Sequence, residues 1–400
     1  MKLALAQFNP TVGDFAGNTT RILALAQRAK ERGADLAVFS ELCICGYLPQ
    51  DLLERPAFIE RNLKELKQLA AKLALPAIVG FVGKTKTKNG TGSGIANKAA
   101  LLSGGKVVFE QSKMLLPTYD VFDESRYFQP ATEQKTFEFG SEKLGITICE
   151  DVWNDKNFWA VRRYDRDPVT ELVGQGTTVL INISASPYTI DKRALRVDML
   201  RSIALSHQLP IVYVNQVGGN DSLIFDGASE ALTLDGKVAA QAAAFEEDLV
   251  LFDTATGQGE IHGQPPEEIA YAYRALVQGT RDYVHKCRFE KTLVGLSGGI
   301  DSALVVTLVM TAVWMAPAYH NNYGPEIFRL GNRVSVAAAA HVVAGSVALL
   351  VGIYVVLVAG TPLVPKALRF TSYKAWMRTL ITIWWLALLL GVLTYWFATT

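Results

Sequence analysis

The sequence has few of the side chains that build disulfide frameworks and metal sites. It contains four cysteines and five histidines among 400 residues. The cysteines, Cys43, Cys45, Cys149 and Cys287, are too few and too scattered for a disulfide framework, so we expect reduced thiols. We also predict no bound metal. A small disulfide-stapled fold is excluded, because a chain of this length can form several domains with cores of their own.

The chain also lacks an excess of charge of either sign, although its charges are unevenly distributed. It has 39 basic and 38 acidic side chains, and the formal net charge of +1 gives nucleic acid no global electrostatic attraction. Acidic residues almost vanish from the last quarter, where residues 303–400 contain six basic residues and a single acidic one, Glu326. This contrast predicts that the two parts of the chain lie in different solvents.

Residues 303–400 contain three apolar stretches without Asp, Glu, Lys or Arg, at 303–319, 337–360 and 379–397. Each reaches the ~17 residues that a membrane span needs. Five of the seven tryptophans lie in this tail, as expected for residues at membrane interfaces. We therefore predict a membrane-inserted tail, and the basic loop between the last two stretches places residues 1–302 in the cytoplasm. Buried core helices of a soluble domain are the alternative.

Residues 1–253 alternate short β-rich runs with amphipathic helices, a pattern typical of one α/β domain. A Gly- and Pro-rich linker and a helix follow at 254–290, and a second domain starts with a strand in 291–302. The Gly-, Thr- and Lys-rich stretch 84–97 is predicted to be a solvated loop. Strands are predicted at 3–8, 35–40, 77–82, 106–111, 144–149, 178–183, 211–215, 249–252 and 291–296, and helices at 18–32, 56–73, 192–208 and 266–287.

Three chemically active side chains follow separate predicted strands: Glu41, Lys113 and Cys149. A cysteine attacks an amide carbon as a thiolate, so it needs a base to take its proton and a positive charge to lower its pKa. Glu41 can supply the base and Lys113 the charge, and the same ammonium group can stabilise the oxyanion of a tetrahedral intermediate. Taken singly, the three have structural alternatives: a buried small side chain, a solvated lysine and a helix cap.

The segments ELCICGY, KMLLPTYDVFDESRYF, CEDVW and SASPYTIDK together resemble the nitrilase superfamily, and in detail the glutaminase domain of glutamine-dependent NAD synthetases. The resemblance covers about three quarters of the chain, from its start into the second domain. It implies an α/β fold, a nitrilase-like αββα sandwich. It also implies that Glu41 is the proton acceptor, Lys113 the catalytic lysine and Cys149 the nucleophile.

The same resemblance assigns residues to L-glutamine. Tyr119, Ser186 and Lys192 match positions that hold its α-amino and α-carboxylate groups, which suits a phenol, a hydroxyl and a cation. Glu150, next to the nucleophile, is a further candidate for the ammonium group, and Glu124 for a carboxylate that steadies the catalytic lysine. A surface ion pair or a loop cap is the structural alternative for these two glutamates.

A second motif, LVGLSGGIDSALV at 293–305, places a Gly-rich turn between a predicted strand and a helix. Backbone N–H groups and serine hydroxyls of such a turn can approach a pyrophosphate at a helix N-terminus. The motif resembles the pyrophosphate-binding loop of N-type ATP pyrophosphatases. This implies ATP, with Mg, as a ligand of a synthetase domain that is truncated by the apolar tail. The residues assigned to ATP are Gly295, Leu296, Ser297, Gly298, Gly299, Ile300, Asp301 and Ser302.

The resemblance therefore predicts the activity of a glutamine-hydrolysing NAD synthase. A glutaminase half would release ammonia from L-glutamine through a cysteine thioester. An ATP-dependent half, predicted to be incomplete, would use the ammonia to amidate nicotinate adenine dinucleotide. Homo-oligomers are common among nitrilase-like sandwiches and are expected. Two alternatives stay open: a stand-alone nitrilase-type amidase, and a chimeric membrane protein that carries an inactive soluble passenger domain.

Overall fold

The computed structural model describes residues 1–85, 94–264, 267–295 and 300–310, and single positions or short runs after them: 313, 344, 345, 347, 376, 378, 379, 382–387, 389, 390 and 393. It divides the chain into two compact units, Met1–Thr292 and Leu293–Thr400.

The first unit is built from strands that alternate with helices along the chain. The strands are β1 Lys2–Gln7, β2 Leu36–Val38, β3 Ala77–Lys84, β4 Ile95–Ser103, β5 Lys106–Ser112, β6 Thr136–Phe139, β7 Glu142–Ile148, β8 Val179–Ser184, β9 Ile211–Asn215, β10 Val217–Asn220, β11 Leu223–Asp226, β12 Glu230–Leu232, β13 Val238–Gln241, β14 Asp248–Asp253 and β15 Gln258–Gly259. The helices are α1 Phe15–Glu31, α2 Pro56–Lys72, α3 Glu124–Tyr127, α4 Pro168–Val173, α5 Lys192–His207 and α6 Glu268–Lys286, and the second unit contains α7 Ile300–Val309.

Local sequence explains where the two long N-terminal helices begin. The carboxylate of Asp14 accepts a hydrogen bond from Gly17 N at 3.0 Å and caps the first turn of α1. Pro56 occupies the first turn of α2, where its missing N–H costs nothing and its fixed φ favours the helix. Both helices turn an apolar face, including Ile22 and Leu66, towards the sheet beneath them.

The first unit contains two mixed sheets. The larger has the strand order β15-β14-β1-β2-β3-β4-β5, and the smaller has the order β13-β12-β9-β8-β7-β6. Strands β1, β2 and β3 are parallel in the larger sheet, and β7, β8 and β9 are parallel in the smaller one. The remaining pairs in both sheets, and the separate hairpin β10-β11, are antiparallel. The predicted α/β class is confirmed.

The two sheets pack face to face between two layers of helices. One buried apolar cluster joins Leu5 and Val38 of the larger sheet to Ile146 and Val212 of the smaller sheet, which makes it the layer between them. A second cluster packs α1 and α2 against the outer face of the larger sheet, and a third packs α4 and α5 against the smaller one. The order of layers is therefore helix, sheet, sheet, helix, as predicted.

Two predictions of local structure are wrong. Residues 84–97 are not a loop throughout, because β3 extends to Lys84 and β4 begins at Ile95; residues 86–93 lie outside the described part. The predicted strand at 291–296 is absent over its described residues 291–295. The side chain of Leu293 is fully exposed, so this short apolar run gains neither the burial nor the strand pairing that would stabilise it.

The structure does not support the predicted membrane spans. Within the residues that it describes, no helix combines the length and the apolar composition that crossing a bilayer requires. The described part of the first predicted span, 303–319, begins inside the ten-residue helix α7. Most residues of the spans 337–360 and 379–397 lie outside the described part of the chain.

A buried ion pair ties helix α5 to the hairpin strand β11. The guanidinium of Arg196 donates two hydrogen bonds to the carboxylate of Asp226, at 3.2 and 3.0 Å. The same carboxylate accepts from Tyr271 OH on α6 at 2.9 Å and from Asn215 Nδ2 on β9 at 3.1 Å. All four side chains are buried. Asp226 therefore links α5, α6, β9 and β11 through one fully paired charge.

Removing the cation from this cluster should destabilise the protein strongly. We expect Arg196→Met to lower the free energy of unfolding by about 3–5 kcal/mol, because Asp226 would stay buried without its partner. Urea denaturation of the full chain measures this difference. The control is Arg201→Met, which removes an exposed ion pair with Asp198 and should change stability by less than about 1 kcal/mol. Equal losses in the two variants would contradict this account of the cluster.

Candidate active site

The ammonium group of Lys113 lies between two buried carboxylates. Lys113 follows strand β5, and its Nζ donates to Glu41 Oε1 at 2.9 Å and to Glu124 Oε1 at 2.8 Å. All three side chains are at most 1% exposed. Burial opposes the charged form of Lys113, but the charges of Glu124 and Glu41 outweigh it, so the pKa of Lys113 lies well above its ordinary value. The two carboxylates therefore favour the charged form of Lys113 in the folded protein.

Among the described residues, the hydrogen bonds of this cluster leave one acceptor position on Glu41 and one N–H donor on Lys113 without a partner. Glu41 Oε1 accepts from Lys113 Nζ at 2.9 Å and from Asn97 Nδ2 at 2.7 Å, and Oε2 accepts from Ala185 N at 2.9 Å. A carboxylate has about four acceptor positions, so one remains for a further proton donor. The ammonium group has three N–H donors, of which the two carboxylates take two. A base position and an oxyanion donor are thus available in one cluster.

Cys149 lies at a strained turn directly after strand β7. Its φ is +45°, a left-handed conformation that non-glycine residues rarely adopt. The side chain is 5% exposed. A short 3-10 helix, Cys149–Val152, starts at this residue, and Asn182 Nδ2 donates to the Cys149 carbonyl at 3.4 Å. The turn holds Cys149 at the carboxyl end of β7, an interior strand of the smaller sheet.

Asp151 fixes the segment of the cysteine to the segment of the lysine. Its Oδ2 accepts from Ile148 N at 3.1 Å, just before Cys149. Its Oδ1 accepts from Met114 N at 3.0 Å and from Leu115 N at 2.8 Å, just after Lys113. Burial raises the pKa of Asp151 to about 7, and these backbone donors oppose the rise. One buried carboxylate therefore sets the separation of two segments that lie far apart in sequence.

The electrostatic balance at Cys149 differs from the one expected from sequence. The charge of Lys113 was expected to lower the pKa of the thiol, yet the pKa is raised well above its ordinary value. Burial is the largest cause, and the charge of Glu41 adds to it, with smaller contributions from Glu124 and Glu150. Lys113 does act in the expected direction, but burial and the carboxylates outweigh it. The raised pKa favours a protonated thiol in the resting protein, whereas the sequence led us to expect a lowered pKa.

Close backbone packing positions Glu41. A Cβ atom on Gly80 of β3 would lie 2.2 Å from the backbone nitrogen of Leu42 and 2.7 Å from the Cα of Glu41. The turn that carries Glu41 thus rests directly on β3 at a position without a side chain. Cys43 and Cys45 in the same turn are buried, and burial raises the pKa of Cys43 to about 12. These two thiols are inert packing groups of the turn.

The predicted glutamine-binding residues Tyr119 and Glu150 are in contact with each other. Tyr119 OH lies 2.9 Å from both carboxylate oxygens of Glu150 and donates to that group. Tyr164 OH donates to Glu150 Oε1 at 3.1 Å, an interaction that no sequence motif indicated. Glu150 is 4% exposed and immediately follows Cys149. The structure therefore places an acidic group held by two phenols beside the candidate nucleophile.

The other two predicted glutamine-binding residues occupy separate elements. Ser186 follows β8, is 2% exposed, and donates its backbone N–H to Asn215 Oδ1 at 2.9 Å. Lys192 is the first residue of α5, and its Nζ lies 5.7 Å from the ring centre of Trp153. Burial lowers the pKa of Lys192, and negative charge at Cys149 would oppose that shift, which supports a position of the amine within electrostatic reach of the candidate nucleophile.

Three polar residues of the site were missed by sequence reasoning: Asn97, Tyr47 and Tyr164. Asn97 lies near the start of β4, at the end of the predicted loop 84–97, although the apolar run before Gly104 and Gly105 has the pattern of a hairpin strand. Tyr47 OH donates to Glu124 Oε1 at 2.9 Å. For the two tyrosines the sequence carries no periodic or motif signal.

The residues assigned to ATP are described in part. Gly295 is irregular and exposed, and Ile300, Asp301 and Ser302 lie in the first turn of α7. Residues 296–299, which form the centre of the predicted loop, lie outside the described part. Among the described residues, no group of three or more His, Cys, Asp or Glu side chains could hold a metal ion.

Comparison with known proteins assigns this site to a family. A family model for carbon-nitrogen hydrolases matches residues 2–258, well over half of the chain. The chain belongs to the carbon-nitrogen hydrolase family. A model for NAD synthase matches residues 272–328, so the carbon-nitrogen hydrolase region is followed by a second matching region.

The relatives of this carbon-nitrogen hydrolase are glutamine-dependent NAD(+) synthetases. The protein from Synechocystis sp. is 43% identical over 319 residues, which cover 78% of this chain and 57% of the relative. The protein from Thermotoga maritima is 34% identical over 353 residues, which cover 78% of this chain and 58% of the relative. The chain thus spans a little more than half the length of these relatives. The predicted resemblance is confirmed.

Solved structures agree with this assignment. The glutamine-dependent NAD+ synthetase from Acinetobacter baumannii, determined in complex with ADP, is 38% identical with a TM-score of 0.70, and the match covers 78% of this chain and 57% of that one. A variant of the Nesterenkonia AN1 amidase from the nitrilase superfamily is 20% identical with a TM-score of 0.54, covering 63% of this chain and 89% of that one. The carbon-nitrogen hydrolase unit therefore has the nitrilase fold.

A side chain at Gly80 should disturb the base of this carbon-nitrogen hydrolase. We expect Gly80→Ala to lower the rate of amide hydrolysis at least ~10-fold, because the added Cβ displaces the Glu41 turn and sub-ångström precision matters for reacting groups. Steady-state ammonia release measures the effect. Gly263→Ala is the matched control, since a Cβ at Gly263 meets no atom within 4 Å. Wild-type turnover in the Gly80 variant would contradict the proposed contact.

The carboxyl group of Glu124 should make stability depend on pH, because the single charge of Lys113 cannot neutralise both Glu41 and Glu124. Burial raises the pKa of Glu124 to about 7, although the charge of Lys113 opposes the rise. Glu124 Oε2 is buried and accepts no hydrogen bond from any described residue, so it can carry the proton. The folded state then binds more protons at this site than the unfolded state between about pH 4.5 and pH 7, and stability falls as the pH rises through that window.

Glu124→Gln, which resembles the protonated acid, tests this linkage. When the pH rises from 5 to 7.5, we expect the unfolding free energy of the wild type to fall by at least about 1 kcal/mol relative to that of the variant. Urea denaturation of both proteins at the two pH values gives the difference, and other titrating groups cancel because both proteins contain them. Parallel pH profiles would show that Glu124 is not the proton-binding group.

Proposed function

We propose that this chain hydrolyses the side-chain amide of L-glutamine through a thioester on Cys149. The observation that carries the proposal is the buried Lys113 ammonium, bonded to Glu41 and Glu124 and within electrostatic reach of the Cys149 thiol. Family membership supports it, because the family name describes hydrolysis of carbon-nitrogen bonds. The glutamine-dependent relatives give the proposed substrate.

In the first half-reaction, the Cys149 sulfur attacks the amide carbon while its proton passes to the open position on Glu41. The carbonyl oxygen becomes an oxyanion and accepts the free N–H of Lys113, an interaction worth about 3–4 kcal/mol in comparable sites. Glu41 then gives its proton to the leaving nitrogen as the carbon-nitrogen bond breaks. Ammonia departs, and the acyl group remains on the sulfur as a thioester.

In the second half-reaction, water attacks the thioester carbon. Glu41, again ionised, takes a proton from the water, and Lys113 stabilises the second oxyanion. The carbon-sulfur bond breaks, the sulfur regains its proton from Glu41, and glutamate is released. The neutral resting thiol fits this cycle, because the proton that leaves with ammonia is replaced by one from the attacking water.

Four residues are proposed to recognise the amino-acid part of the substrate. Glu150, with the hydroxyl of Tyr119, would accept hydrogen bonds from the α-ammonium group. Ser186 and Lys192 would hold the α-carboxylate, which suits a hydroxyl and a cation. The low exposure of Glu150 and Ser186 supports recognition in a desolvated pocket, where such interactions are strong.

The fate of the ammonia is a separate proposal. The match of residues 272–328 to NAD synthase, and the relatives' names, support its use in the ATP-dependent amidation of nicotinate adenine dinucleotide. This step would need residues beyond those described. The division into a glutaminase domain at 1–253, a linker and helix at 254–290, and a synthetase segment from 291 is proposed with it. Homo-oligomeric assembly and a cytoplasmic location of residues 1–302 stay predictions.

Replacing the nucleophile tests the proposed activity. The purified full chain should release ammonia from glutamine, and Cys149→Ala should reduce the rate at least ~1,000-fold, since no other group can form the thioester. Cys287→Ala removes an exposed thiol and should keep wild-type turnover. Turnover should be measured with glutamine and with acetamide in parallel. Hydrolysis of acetamide without hydrolysis of glutamine would replace this proposal by a simple amidase, and unchanged turnover in Cys149→Ala would refute the mechanism.

A further inference from the structure

We propose that Tyr164 is a positioning residue that sets the selectivity for amides bearing an α-ammonium group. Its hydroxyl holds the Glu150 carboxylate in the orientation that receives this group. The inference rests on the proposed glutaminase function and adds a specificity-determining residue to it. Four observations support it: the contacts of Glu150, the anchoring of the loop that carries Tyr164, the stacking of Arg163, and the position of Glu150 beside Cys149.

The contacts of Glu150 leave hydrogen-bond acceptor positions on its carboxylate for an ammonium group. Tyr119 OH donates to the carboxylate at 2.9 Å, and Tyr164 OH donates to Oε1 at 3.1 Å. These phenols take two of about four acceptor positions, and both reach the carboxylate from other elements of the fold. An ammonium group has three N–H donors and can use the positions that remain. Because the phenols fix the carboxylate, the substrate does not have to order it on binding.

A single buried asparagine anchors the loop that carries Tyr164. Asn154 Nδ2 donates to the carbonyl of Tyr164 at 2.8 Å and to that of Arg166 at 2.7 Å. Asn154 Oδ1 accepts from the N–H groups of Arg163 at 3.1 Å and of Tyr164 at 3.3 Å. The peptide groups on both sides of Tyr164 are thus held by one side chain that is 1% exposed. The position of the Tyr164 hydroxyl is set by the fold and does not depend on a mobile loop.

Arg163 holds the second phenol of the pair. Its guanidinium lies 3.9 Å from the ring centre of Tyr119, a cation–π contact. Burial raises the pKa of Glu150, while the charge of Lys113, the hydroxyls of Tyr119 and Tyr164, and the charge of Arg163 oppose the rise. Two consecutive loop residues therefore favour the ionised carboxylate, one by a hydrogen bond and one by its charge.

Glu150 is adjacent to the nucleophile in the chain, so a group bound to its carboxylate lies near the acyl group on Cys149. A simple aliphatic amide has no ammonium group and cannot use this interaction. Glutamine can use it in the ground state and in the transition state alike, because the α-ammonium group is remote from the bond that breaks. Uniform binding of this kind changes KM more than kcat.

The test compares Tyr164→Phe with the wild type on two substrates that differ by one group. The first is glutamine, and the second is glutaramate, which is glutamine without its α-amino group. We expect the variant to raise KM for glutamine about 5- to 20-fold, within the range expected for the loss of one hydrogen bond, with kcat changed less than ~2-fold. For glutaramate, kcat/KM should stay within ~2-fold of the wild type.

Binding without turnover gives an independent readout. In the Cys149→Ala background, calorimetric titration with glutamine should show the same 5- to 20-fold loss of affinity on Tyr164→Phe. Tyr271→Phe is the matched control, because it removes another phenol–carboxylate hydrogen bond, to Asp226, from a buried site without contact to Glu150. This control should lower stability and leave KM for glutamine unchanged.

The possible outcomes separate the inference from the proposed function. If Tyr164→Phe loses activity equally on glutamine and glutaramate, or leaves both unchanged, the selectivity role of Tyr164 is refuted while glutaminase activity stands. If the wild-type chain hydrolyses acetamide and neither binds nor hydrolyses glutamine, the proposed function fails first and the inference falls with it.

Discussion

The structure depends on one interaction, the buried ammonium group of Lys113 between the carboxylates of Glu41 and Glu124. Charges in a desolvated site must be paired, and one cation cannot neutralise two carboxylates. The cluster therefore holds either a surplus negative charge or an extra proton. Cys149 lies within electrostatic reach of this cluster, and the surplus negative charge adds to the effect of burial in raising the pKa of the thiol. A lysine that met a single carboxylate would give the sulfur a different electrostatic environment.

If the resting thiol is neutral, the main catalytic effect of Lys113 is on the oxyanion of the substrate and not on the resting sulfur. In the proposed mechanism, the proton of Cys149 neutralises Glu41 as the sulfur attacks, and the negative charge moves to the substrate oxygen, next to the ammonium group of Lys113. The cation then faces an oxyanion in place of one of its carboxylates, so its stabilising effect is larger in the intermediate than in the resting state. Interactions that strengthen along the reaction raise kcat, whereas a permanent thiolate would be stabilised by the same cation in the ground state.

The sequence predicted the parts of the site that lie at the ends of regular strands. Glu41, Lys113 and Cys149 each lie at or just after the end of a β-rich run, and the structure bonds Lys113 to Glu41 within electrostatic reach of Cys149. Asn97 was missed because the Gly-, Thr- and Lys-rich residues before it have no strand pattern, so the sequence did not indicate where β4 begins. Tyr164 could not be found from periodicity, since its position depends on hydrogen bonds from Asn154, ten residues earlier, within an irregular loop.

The sign of the pKa shift at Cys149 was beyond sequence reasoning for a different reason. A motif supplies residue types, and Lys113 alone argues for a lowered pKa. The actual shift sums burial with the charges of every neighbour, and the contributions of Glu124 and Glu150 depend on distances that only the fold sets. Glu150 takes part in this sum because Tyr164 and Tyr119 stabilise its ionised form. The residues that would select the substrate therefore also help to keep the nucleophile protonated until a substrate arrives, because an α-ammonium group bound at Glu150 would offset one of the charges that raise the pKa of the thiol.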